Sequence, residues 1–135
     1  MPVEDPHRPS PPPAGLTAAG VDHVRLQYEY LAARDIDGYL SLLDGDVSVD
    51  GPRGSRERGR EAVGALRGRQ LSDGSLSCSV SQVIASGSAV AAVGRYRGDA
   101  LHGRWVDAEF CEVFTLAPSG LLLSQKTFYR VDPPT

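Results

Sequence analysis

The chain has 135 residues, 41% of them hydrophobic and 23% charged, with a net charge of −3. That length suits one domain, and the apolar fraction is enough for a folded core, which excludes wholesale disorder. Near-balanced charge argues against a nucleic-acid partner, the two cysteines (Cys78, Cys111) exclude a disulfide scaffold, and no apolar run approaches the roughly 18 residues that cross a bilayer. With no apolar stretch that could serve as a signal peptide, a cytoplasmic location without a membrane partner is expected.

Residues 1–17 are proline-rich with little to bury and are expected to form a disordered tail, leaving 18–135 as a single domain. From Gly20 to Asp35, apolar residues at Val21, Val24, Tyr28 and Leu31 recur with helical period. Asp35 can cap a second, short helix carrying Ile36, Tyr39, Leu40 and Leu43. Gly45 and Asp46 break it, and Val47-Ser48-Val49 alternates like a short strand. Gly51 to Gly59 has no periodicity and reads as a loop. A third helix is expected from Arg60 to about Arg69, with Ala62, Val63 and Leu66 inward.

From Ser75 the period changes to 2, and four strands follow: Leu76 to Ile84, Ala89 to Asp99, Arg104 to Leu116 and Leu121 to Val131. Helices first and a strand meander second define an α+β class, with the helices packed on one face of a curved antiparallel sheet.

Alternation also assigns faces. On the third of these strands one face reads Val106, Ala108, Phe110, Glu112, Phe114, Leu116, with Glu112 the lone acid in an apolar row. On the last it reads Leu121, Leu123, Gln125, Thr127, Tyr129, Val131. On the second, Ala91 and Val93 continue into Arg95, Arg97 and Asp99, and on the first, Gln82 interrupts Leu76, Cys78, Val80 and Ile84. An unpaired buried charge costs several kcal/mol, so these polar groups point either to a half-open ligand pocket or to an ion pair at a sheet rim or dimer interface. In a meander Arg95 or Arg97 could lie across from Glu112. Tyr28, Tyr30, Tyr39 and Tyr129 have an ordinary packing reading beside any role in a site.

Other chemistries find no support. No glycine-rich phosphate loop follows a strand, His23 and His102 are isolated, and neither a nucleophile elbow nor a cysteine motif occurs; no metal or organic cofactor is expected. Cys111 falls on the face opposite Glu112. The arginines 53, 56, 58 and 60 form a basic loop, read as solvated or as a contact for an anionic carrier.

The segment YEYLAARDIDGYLSLLDGDVSVDGPRG, the following GREAVGALRG and the closing FCEVFTLAPSGLLLSQKTFYRVD together resemble the nuclear transport factor 2-like superfamily over roughly residues 20 to 131. The resemblance implies a cone of helices over a strongly curved sheet, with a pocket between them and a homodimer formed through the sheet. Against ketosteroid isomerase-like members, the oxyanion-binding acid falls on Glu112 and the tyrosine of the first helix near Gln27 or Tyr28. The general base position is Gly51, beside Asp50. Against limonene epoxide hydrolase-like members, Arg97-Gly98-Asp99 matches the R-x-D pair, while Thr127 replaces the second acid.

The SnoaL-like group of polyketide cyclases and epoxide-opening cyclases needs only an acid-base residue in a shaped apolar cavity. The reading that follows is a cofactor-independent cyclase, or an allied isomerase or dehydratase, acting on a polyketide-type small molecule. Asp99 or Glu112 would be the catalytic carboxylate, and Arg95, Arg97, Gln125, Thr127, Tyr129, Tyr28 and Phe110 would bind substrate. A non-catalytic small-molecule-binding or dimerisation module is one alternative, and an epoxide-opening cyclase or hydrolase is the other.

Overall fold

The computed structural model describes residues 14–51, 54–72, 77–99 and 105–130. The element order is α1 (Ala14–Ala32), α2 (Ile36–Ser41), β1 (Leu43–Asp50), β2 (Arg56–Arg58), α3 (Arg60–Ser72), β3 (Ser77–Ser86), β4 (Ala89–Asp99), β5 (Trp105–Leu116) and β6 (Leu122–Arg130). Helix α1 therefore begins at Ala14, inside the segment expected to be tail. Asp35 caps α2 as expected, its carboxylate accepting from the Gly38 amide at 2.9 Å.

All six strands join one curved, unclosed sheet in the order β2-β1-β6-β5-β4-β3. The expected meander is present as β3 to β6, antiparallel throughout. The sheet as a whole is mixed, because β1 adds to β6 in parallel. Strand β2 lies within the stretch read as a loop: Ser48, Val49 and Asp50 pair with Arg58, Glu57 and Arg56. Three charged residues in a row hide such a strand, since its pairing is carried by backbone and by a two-pronged contact of Arg56 to Asp50 at 2.6 and 2.9 Å.

The helices cover one sheet face. Val24, Tyr39, Leu42, Leu43, Val63, Val90, Phe114, Leu116 and Leu122 form the core between the layers. His23 ties α1 to the β5–β6 turn through Nδ1 and the Gly120 carbonyl, 2.7 Å apart.

The register fixes the inward rows. Val83, Ala92, Glu112 and Thr127 are neighbours across four strands, and Ala85, Val90, Phe114 and Gln125 flank them on one side. Val80, Gly94, Phe110 and Tyr129 flank them on the other, with Cys78, Tyr96 and Ala108 beyond. Apart from Tyr96, the inward residues of β4 from 90 to 98 are small: Val90, Ala92, Gly94 and Gly98. At Gly94 an added Cβ would lie 2.1 Å from the Ser79 carbonyl oxygen and 2.8 Å from the Phe110 ring. Glycine is what allows that ring to lie flat on the strand.

Three expected faces are corrected. On β3 a bulge between Val80 and Gln82 reverses the alternation, so Val83 and Ala85 pack inward while Ile84 is 52% exposed. On β6 a register shift after Leu122 makes Leu122 the core residue in place of Leu121 and Leu123, while Gln125 and Thr127 keep their inward places. On β4 the parity is opposite to the expectation: Val90 and Ala92 are fully buried, and Arg95 and Arg97 lie on the outer face.

Candidate active site

The β5 row stands as read from Ala108 to Leu116, and the Val106 side chain lies outside the described residues. Ala108, Phe110, Glu112, Phe114 and Leu116 are all buried, and Glu112 is 1% exposed. Its carboxylate accepts four hydrogen bonds. Oε1 receives the hydroxyls of Tyr28 at 2.6 Å and Tyr96 at 2.9 Å. Oε2 receives Nε2 of Gln125 and Oγ1 of Thr127, both at 2.6 Å. Each oxygen thus has two donors, the complement of an acceptor-only carboxylate. This is how the sheet accommodates an acid among phenylalanines.

The two oxygens differ in what holds them. Gln125 is itself fixed, because its Oε1 accepts from Nη2 of Arg67 at 3.2 Å. A guanidinium can only donate, so the Gln125 carbonyl must face Arg67 and its amine must face Glu112. Arg67 also donates to the Tyr39 hydroxyl at 3.1 Å and to Gln70 at 2.9 Å, with its guanidinium carbon 5.4 Å above the Tyr39 ring. Burial works to lower the Arg67 pKa, but the fields of Tyr39 and Glu112 outweigh it and hold the guanidinium firmly charged. The Oε2 side is therefore locked by buried groups.

The Oε1 side is built from half-buried aromatics. Tyr96 stacks on Phe110 with ring centroids 4.3 Å apart, and Tyr28 meets Phe114 edge-on at 6.2 Å. Burial first, and the Glu112 charge second, push both phenols well above their ordinary range, so both remain protonated donors. Tyr129, 41% exposed, meets Tyr96 edge-on at 5.8 Å and forms the rim. Cys78 pairs with Tyr96 across β3 and β4. It is exposed as a residue, yet desolvation of the thiol and the Glu112 charge push it up to about 12.

Of the residues singled out from the sequence, Glu112, Gln125, Thr127, Tyr28 and Phe110 come together here, with Tyr129 at the edge. Arg95 and Arg97 do not. Both contact Asp107 on the outer face, at 2.6 and 3.4 Å, and Arg95 lies in register with Glu109 rather than Glu112. The R-x-D pair is thus not assembled with Thr127: Arg97 and Thr127 sit on opposite faces. Asp99 ends β4 in register with Trp105, and its side chain lies outside the described residues. Two arginines of the basic loop are engaged within the chain, since Arg56 is paired with Asp50 and Nε of Arg60 donates to the Leu43 carbonyl at 2.8 Å; Arg53 lies outside the described residues.

Sequence reasoning missed Tyr96 and Arg67. Tyr96 had a signal. Gly94, Tyr96 and Gly98 alternate with Arg95 and Arg97, and two charges at i and i+2 mark the solvated face. Arg67 had none, because one arginine on a helix with several looks like all the others.

The model of the SnoaL-like domain matches residues 11–124. The chain belongs to that family. No curated protein matches it. Several solved structures share the SnoaL-like fold. A candidate polyketide cyclase from Xanthomonas campestris pv. campestris is 21% identical with a TM-score of 0.75, over 85% of this chain and 93% of its own. An epoxide hydrolase from Mycobacterium tuberculosis, described as limonene epoxide hydrolase-like, is 19% identical with a TM-score of 0.74, over 84% of both chains. Another M. tuberculosis protein, solved with estradiol-17β-hemisuccinate, is 18% identical with a TM-score of 0.72, over 84% of this chain and 95% of its own. At these identities the likeness concerns the fold, and function has to be argued from the site. Among the described residues no helix is long and apolar enough to cross a membrane.

Proposed function

We propose that this SnoaL-like protein is a cofactor-independent cyclase, or an allied isomerase or dehydratase, with Glu112 as its acid-base group and a polyketide-type intermediate as substrate. The observation that carries the reading is the fully buried Glu112 carboxylate, framed by Phe110 and Phe114 and held by four donors. Its chemistry would run on the Oε1 side. A substrate C–H beside a carbonyl would replace both tyrosine hydroxyls there and pass its proton to Glu112. The resulting enolate oxygen would accept from Tyr28 and Tyr96, whose raised pKa values keep them donors. The enolate carbon would then close the ring on a second carbonyl, and the proton on Glu112 would return to the new alkoxide. Proton and charge balance without a cofactor, and holding both carbonyl groups within one apolar cavity would supply much of the acceleration. Asp99 is kept as the second candidate carboxylate.

Reconstitution with an aromatic polyketide intermediate tests this. Glu112→Gln should abolish ring closure while the protein remains folded; an unchanged product profile in both Glu112→Gln and Asp99→Asn would end the catalytic reading. A second reading, ligand binding without turnover, is favoured by one fact: every acceptor position of Glu112 is already filled from within the chain. It expects ligand affinity that survives in a protein with no turnover. We also propose a cytoplasmic homodimer through the outer sheet face, where Phe128 is 56% exposed beside Cys111 and Val93. Phe128→Ser should shift its elution in size-exclusion chromatography to the monomer.

A further inference from the structure

Gln27 lies on the sheet-facing side of α1 with Gly20 and Val24, and it is 0% exposed. Neither its Nε2 nor its Oε1 has a hydrogen-bond partner. The very next residue, Tyr28, reaches Glu112, which gathers four donors. None of the groups in that cluster serves Gln27.

A buried amide without partners is costly, and leucine or methionine would fill a similar volume without that cost. Buried water is the usual remedy, but an interior water needs two to four polar partners. Among the described residues no other buried side-chain polar atom lacks a partner, so water beside Gln27 would have to share groups that are already bonded. The missing partner fits better as one polar group on an otherwise apolar molecule. A primary amide offers a donor and an acceptor side by side, which matches a hydroxyl or enol. It does not match a carboxylate, which only accepts and would leave the amide oxygen unpaired.

We infer that Gln27 is a ligand-recognition residue, pairing with a neutral hydroxyl or enol on a ring-containing apolar ligand that also reaches Glu112. This rests on the pocket reading given above and specifies the ligand's second polar group.

The test compares wild type with Gln27→Leu. The ligand-free variant should melt about 2–5 °C higher, because an unsatisfied amide has been replaced by packing. Calorimetric titration uses estradiol and its 3-deoxy and 17-deoxy analogues as probes. Wild type should bind estradiol roughly tenfold more tightly than one of the two analogues, and Gln27→Leu should erase that preference. A lower melting temperature would mean the amide is already paired in solution and would overturn the inference. A preference that survives the substitution, or a wild type that binds none of the three probes, would overturn it as well. Gln27-dependent binding in a protein with no Glu112-dependent turnover would sustain this inference while removing the catalytic one.

Discussion

Exchanging Glu112 and Gln125 would separate the structural role of the buried carboxylate from its chemistry. In Glu112→Gln the new amide must turn its oxygen toward Nε2 of Gln125, because Arg67 prevents Gln125 from flipping. Its amine then faces Tyr28 and Tyr96, whose two hydroxyl protons lose their acceptor. At about 1 kcal/mol for each, the loss is about 2 kcal/mol. Gln125→Glu alone sets two carboxylates at the 2.6 Å now spanned by a hydrogen bond and should cost about 3 kcal/mol or more.

The double variant removes both faults. The new carboxylate at 125 accepts from Arg67 and from the new amide at 112, whose oxygen again receives both tyrosines and whose second N–H meets Thr127. Its stability should return to within about 1 kcal/mol of wild type, a coupling of about 4 kcal/mol or more between the two sites. Chemical and thermal unfolding measure this; for a domain of this length each kcal/mol corresponds to about 3–5 °C. Turnover should stay abolished, since the carboxylate has moved to the locked side. Additive losses, leaving the double variant about 5 kcal/mol below wild type, would refute the donor–acceptor assignment.

Three further outcomes follow from the geometry. Gly94→Ala should destabilise by about 2 kcal/mol or more, seen as a lower urea midpoint, because the new methyl group meets the Ser79 backbone oxygen at 2.1 Å; a change under about 0.5 kcal/mol would contradict the packing described. Cys78, with its thiol raised to about 12, should react with iodoacetamide much more slowly than free cysteine at about pH 8 despite its exposure, and faster as the pH climbs toward that value; a rate equal to free cysteine would show that neither desolvation nor the Glu112 charge acts on the thiol. Asp50 and Asp107 are held below the ordinary 3.8, chiefly by hydrogen bonds from Arg56 and Arg95. A depressed folded-state value stabilises above the unfolded pKa and is lost as pH falls through the folded one. The melting temperature of wild type should therefore fall below about pH 4, and Asp107→Asn should flatten that fall slightly, as expected for a surface pair; parallel curves would count against it.

What the sequence disclosed depended on how many apolar residues each strand places on its outer face. On β5 the contrast is sharp, with Asp107, Glu109 and Cys111 set against Ala108, Phe110 and Phe114, so Glu112 was found directly. On β4 the run from Ala89 to Val93 is apolar on both faces, and parity had to come from the following Gly94-Arg95-Tyr96-Arg97-Gly98. Reading the arginines as pocket residues inverted it. The bulges in β3 and β6 add or skip one residue without any mark in composition, so alternation alone puts Ile84 and Leu121 inward. The parallel pairing of β1 with β6 joins segments more than 70 residues apart in sequence, beyond the reach of local pattern. Gln27 was placed on the correct helix, but its missing partners can be seen only when its surroundings are known.

The place of β6 also bears on how the molecule assembles. Leu122–Arg130 fills the gap between β1 and β5, joining a pair formed early in the sequence to one formed late. While the chain is being synthesised, β1 and β5 each wait with an unpaired edge, and Glu112 waits without Gln125 and Thr127. Closing the sheet requires long-range contacts that are slow to form, so the burial of the acid should coincide with the last committed step of folding. A nascent chain that stalls before Leu122 would expose a charged core and two sticky edges together, which makes β6 the element on which both solubility in the cell and the completed acid-base cluster depend.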